Sequence, residues 1–139
     1  MKQTNLDDVF PTGFHICCPP GSSLKDVSTH KTVYVAGPYS HGDVAVNVRE
    51  AIQAADRLLI YGFYPYVPHL THFWHLVFPR PYQEWLELDK VWLKKCDAVL
   101  LLPGKSPGAE KEVDLAKEYN IPVFESIGEL LEWRDDDQD

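Results

Sequence analysis

At 139 residues, 45% apolar and 24% charged, the chain has room for one soluble globular domain and not for two ordinary ones. Its formal charge of −8 argues against a polyanionic partner such as DNA or RNA, yet leaves open a single small nucleotide held by backbone donors. With no transmembrane-length apolar run, no signal-peptide pattern and three cysteines (Cys17 and Cys18 adjacent, Cys96 alone), a reduced, cytoplasmic protein without membrane contact or a zinc site is expected.

Residues 1–30 carry weak periodicity and the turn-rich stretch CCPPGSS, and read as an extension or arm. Regular patterning begins with TVYVAG (32–37), a β-branched and aromatic run closed by glycine. In 43–62, Val44, Val48, Ala51, Ile52, Ala55, Leu58 and Leu59 recur at helical spacing, and Gly62 suits the position after the helix. FYPYVP (63–68) predicts a second strand, weakened by Pro65. A His-, Phe- and Pro-rich loop is expected over 69–81, then a helix over 81–96. AVLLL (98–102) is the continuous apolar run of a strand buried on both faces. A helix starting near Ser106, a strand at 121–125, a terminal helix from about Ser126 and a solvated acidic tail at 134–139 complete the chain.

Strands alternating with helices over 31–133 predict an α/β domain: a Rossmann-like three-layer sandwich around a mainly parallel sheet of four or five strands. Such sheets bind ligands at the carboxyl ends of their strands. Three loops are expected to meet there: GPYSHG after the first strand, PHLTHFWH after the second and PGKSPG after the third.

Two acids break the helical pattern. At about 100° per residue, with Ala109 as origin, Val113, Leu115, Ala116 and Tyr119 centre on about 320°, and Glu112 lies among them at about 300°. Glu110 and the other charges of that helix point the opposite way. In 81–96 the apolar residues crowd around the direction of Trp85, and Asp89 falls about 40° away, within the stripe. Each acid alone is compatible with a stripe edge or a buried donor. Two on helices flanking one strand point to a carboxyl pair of the kind that cleaves glycosidic bonds. Ser106 suits a helix cap, Pro107 the first helical position and Gly108 a close ligand approach; a plain helix start explains the same three residues.

VYVAGPYS, followed by LDKVWLKKCDAVLLLPGKSPGAEKEVDLAKEYNIPVF, resembles the nucleoside 2-deoxyribosyltransferase superfamily over roughly residues 32–132. That superfamily includes the transferases and the 2′-deoxynucleoside 5′-phosphate N-hydrolases. The resemblance implies a nucleophile at Glu112, an acid acting on the base at Asp89, eight residues before Asp97, and an orienting tyrosine at Tyr34. Gly37, Pro38, Tyr39 and Ser40 match the loop that closes over sugar or phosphate. The transferases carry an acid six residues before the nucleophile; Ser106 stands there here, as in the hydrolases, where a serine contacts the 5′-phosphate. A neutral hydroxyl at a helix N-terminus suits a dianion that an aspartate would repel. The loop lacks the hydrolases' arginine, so Ser40, His41 and Gly42 are expected to serve in its place, with Gly108 beside Ser106.

His69, His72 and His75 recur every third residue, but no carboxylate joins them, and the family's chemistry uses no metal or cofactor. Phe73, Trp74 and Phe78 are expected to stack on the base or pack at a subunit interface, and His69 to face the pocket. Arg80 reads as a phosphate partner or a surface residue, and Cys96 as core. The resemblance also implies a homodimer or larger assembly. The expected activity is base release from deoxynucleotides, with base exchange or a non-catalytic nucleotide-sensing module as alternatives.

Overall fold

The computed structural model describes residues 30–137. The expected arm, including Cys17 and Cys18, and the end of the acidic tail lie outside the described residues. The elements are β1 (Thr32–Ala36), α1 (Val44–Ile60), β2 (Tyr64–Tyr66), a 3₁₀ turn (Pro68–Leu70), α2 (Thr71–Val77), α3 (Tyr82–Leu93), β3 (Ala98–Leu101), α4 (Pro107–Glu118), β4 (Val123–Phe124) and α5 (Ile127–Asp136).

The four strands pair in the order β2-β1-β3-β4, all parallel. The sheet is the centre of a Rossmann-like three-layer sandwich. The pleat sorts β1 by alternation: Val33 and Val35 join Ala51, Ala55, Leu58 and Leu130 from α1 and α5 on one face. Tyr34 and Ala36 join Leu93 and Ala116, from α3 and α4, on the other. The chain winds outward from β1 to β2 and then crosses back to β3, so the carboxyl ends of β1 and β3 form the switch point where such sheets open a crevice.

Two glycines let the loops at that point touch. A Cβ at Gly37 would lie 2.9 Å from Leu102 Cβ, and one at Gly104, which has φ +115°, would lie 2.9 Å from Pro38 Cγ. At the opposite end Asp97 fastens the sheet: its Oδ2 accepts from the Thr32 amide at 2.8 Å. Gly62 takes φ +86° just beyond α1, as its position after the helix requires.

Three expectations need correction. The loop at 69–81 contains the 3₁₀ turn and α2, whose run of aromatic and β-branched residues between prolines hid a two-turn helix with no buried face. The helix expected over 81–96 ends at Leu93. The expected tail at 134–139 is helical through Asp136, although Asp135 and Asp136 remain exposed as acids at a surface should. No described helix is long and apolar enough to cross a membrane.

Candidate active site

A cleft of about 560 Å³ opens at the switch point. One wall is the start of α4, with Ser106, Gly108 and Glu112; another is α3, with Tyr82, Trp85 and Asp89. The loop after β1 and the segment from Pro68 to Arg80 complete it.

Tyr34, fully buried in the centre of β1, reaches across the sheet–helix layer and donates its hydroxyl proton to Glu112 Oε1 at 2.8 Å. Burial pushes the Glu112 carboxyl up to about 7; the Tyr34 hydrogen bond holds it down somewhat, and the nearby Asp89 charge adds to the rise. Burial and the neighbouring acids push the Tyr34 hydroxyl far upward, so it remains a donor. Asp89 is likewise pushed up to about 6 by burial.

A second tyrosine mirrors the first. Tyr66 pairs in register with Tyr34 on the adjacent strand, and its hydroxyl makes a long contact, 3.5 Å, to Asp89 Oδ1. Its ring stacks on Trp92 at 5.6 Å between centroids. Each acid thus has its own tyrosine from neighbouring strands. Periodicity alone identified the acids; the strand carrying Tyr66 was expected over 63–68, but strand alternation does not say which helix acid its side chain meets.

Ser106 caps α4, with its Oγ accepting from the Ala109 amide at 3.2 Å. Pro107 has no amide proton, so the Gly108 N–H and the Ser106 O–H are the donors left in that turn. Fewer amides remain for an anion there than a helix start offers in general.

The loop after β1 is held from three sides. Asn47, on α1, donates through Nδ2 to Tyr39 O at 2.8 Å and to His41 O at 2.9 Å. The Tyr39 hydroxyl bonds His72 Nδ1 at 2.8 Å, and His69 Nε2 donates to Pro38 O at 3.0 Å. Gly37, Tyr39, Ser40, His41 and His69 line the cleft; Pro38 and Gly42 do not. Pro38 supplies a carbonyl and a packing surface, and Gly42 supplies a turn at φ +87°. His69 is buried, which lowers its pKa, and its Nδ1 has no partner among the described residues.

The three histidines diverge, each bound to a different neighbour, and among the described residues no group of three His, Cys, Asp or Glu side chains is placed to share a metal ion. Phe73, Trp74 and Phe78 are exposed and do not line the cleft; Tyr82 and Trp85 do. The signal for Trp85 was present, since it precedes Asp89 by four residues and so shares its helix face, but an apolar stripe reads as core. Arg80 lines the rim and pairs with Glu84 at 3.0 Å. Cys96 packs beside the Tyr34 cluster, with its thiol pushed up to about 11 by burial.

The family model described as a domain of unknown function, DUF7768, matches residues 31–126. The chain belongs to that family. The DUF7768 match spans the whole sheet and every residue that lines the cleft. No curated protein matches the chain.

Proposed function

We propose that this DUF7768 member hydrolyses the N-glycosidic bond of (2′-deoxy)nucleoside 5′-monophosphates, releasing free base and sugar 5-phosphate. The observation that carries the reading is the acid pair in one cleft: Glu112, bonded by the buried Tyr34 at 2.8 Å, and Asp89 on the neighbouring helix, both pushed well above the ordinary carboxylate range. Paired carboxyls tuned by burial are the equipment of glycosidic cleavage. The resemblance of residues 32–132 to the nucleoside 2-deoxyribosyltransferase superfamily supports the same chemistry.

In the first step the ionised Glu112 attacks C1′. A C–O bond forms, the C1′–N bond breaks, and the base leaves with its bonding electrons and a proton from Asp89. Water then adds to C1′, the ester bond to Glu112 breaks, and the water's proton passes to the Asp89 carboxylate. Tyr34 acts as an orienting donor throughout. The 5′-phosphate is assigned to the Ser106 hydroxyl and the Gly108 amide at the N-terminus of α4, with Arg80 at the rim. Ser40, His41 and Tyr39 close the sugar side. No cofactor is needed for these steps.

The same covalent intermediate serves base exchange if a second base enters before water, so the transferase is the alternative outcome. The protein is proposed to work in the cytoplasm as a homodimer or larger assembly. Supporting an assembly, α2 and its flank leave Leu76, Val77 and Phe78 about two-thirds exposed in a row.

The test is chromatographic measurement of base release across deoxy- and ribonucleosides and their 5′-monophosphates, with and without an added second base. Release from the monophosphates alone, without a new nucleotide, is expected. A new nucleoside or nucleotide identifies the transferase; binding without turnover identifies a sensing module.

A further inference from the structure

We infer that His75 is a fixed hydrogen-bond donor in the cleft and recognises an acceptor atom, a ring nitrogen or carbonyl oxygen, on the base; this rests on the glycosidase reading. Two N–H groups converge on His75 Nδ1: Trp85 Nε1 at 2.9 Å and the Arg80 backbone amide at 3.2 Å. An indole N–H and a peptide N–H can only donate, so Nδ1 must present its lone pair to both. The neutral ring therefore carries its proton on Nε2. A proton added at Nδ1 would face two others and break both bonds.

The ring plane is fixed as well. His75 meets Trp85 edge-on at 5.9 Å, and Trp74 braces Trp85 from another side at 5.3 Å. His75, Trp85 and Asp89 all line the cleft, and Trp85 sits one helical turn ahead of Asp89 on α3. The anomeric carbon belongs at Glu112, so the base extends toward the Asp89 wall. There it meets one committed donor, His75 Nε2–H, and one carboxyl group. A site built around a fixed donor discriminates against a base that offers no acceptor there, because the donor would be left unpaired.

The experiment uses the full chain labelled with ¹⁵N at histidine. Long-range ¹H–¹⁵N correlation of the free protein is expected to find His75 Nδ1 unprotonated and Nε2 protonated. Adenine, guanine, hypoxanthine, cytosine, thymine and uracil are then added in turn, with binding followed independently by calorimetry. At least one base is expected to bind and to shift the His75 Nε2–H signal. His75→Phe is expected to weaken that base about five- to tenfold, the loss of one neutral hydrogen bond. An Nδ1-protonated ring, or a Nε2–H signal unmoved by every base that binds, makes His75 a structural brace and overturns the inference, whether or not the variant folds. Binding of no base overturns it too. Absence of turnover alongside a shifted Nε2–H signal would instead defeat the hydrolase reading and leave the recognition role standing.

Discussion

In the proposed reaction Glu112 must be ionised to attack and Asp89 must hold a proton to give. With Glu112 at about 7 and Asp89 at about 6, this form is the minority of the two singly protonated states; its abundance still peaks midway between those values and declines on both sides. A bell-shaped pH dependence of kcat/KM centred there is expected. Asp89→Asn should lose the alkaline decline, leaving activity that rises and levels off above the Glu112 value. Tyr34→Phe removes the bond that holds Glu112 down, so the optimum should move to higher pH and the maximum fall about ten- to a hundredfold. The same shift makes a stability statement. Glu112 has a folded pKa raised above its unfolded value near 4.5, so the native state holds the extra proton and wild-type stability falls as pH rises from about 4.5 to 7. Glu112→Gln, which keeps an acceptor for Tyr34, should therefore be more stable than wild type at pH 8, by on the order of 2 kcal/mol, and show no such gain at pH 4. Urea titrations at the two pH values check the sign.

At the scale of elements, the helices carry acids on buried faces because the sheet beneath supplies matching donors. Period-two alternation sends Tyr34 toward α3 and α4, and the parallel register places Tyr66 beside it. The inward turn of Glu112 and Asp89 was legible because helical periodicity is a local property. Their tyrosine pairing through Tyr66, the histidine tautomer and the Asn47 clasp depend on which loops meet, which spacing does not encode. α2 was illegible for another reason: none of its residues is buried, so it has no apolar stripe against a polar face. The α3 stripe was read too broadly, for Val91 is exposed and Trp92 half-exposed, covering Tyr66 from outside. Gly37 is a structural requirement of the site, since a methyl group there meets Leu102 head-on. Gly37→Ala should cost about 1–3 kcal/mol in urea unfolding and separate the loops after β1 and β3.

For the whole molecule, the strand order decides where chemistry can occur. The parallel strands wind outward to β2 on one side of β1 and then to β3 on the other, and the cleft opens above that switch, lined by the loop after β1, the segment after β2, α3 and the start of α4. Fold class and the place of the crevice follow from alternation of strand and helix, which a sequence carries plainly. The net charge of −8 is compatible with the proposed binding of one phosphate through a few local donors rather than a basic surface. In the proposed reaction Glu112 is a nucleophile rather than a buried structural acid. The most direct test is base release from deoxynucleoside 5′-monophosphates by wild type and Glu112→Ala, with intact-mass detection of a glycosyl adduct on the wild-type protein after rapid acid quench. Loss of at least a thousandfold in rate, with an adduct mapped to Glu112, is predicted, on the scale of removing a covalent catalyst. Base release by Glu112→Ala at the wild-type rate would contradict it.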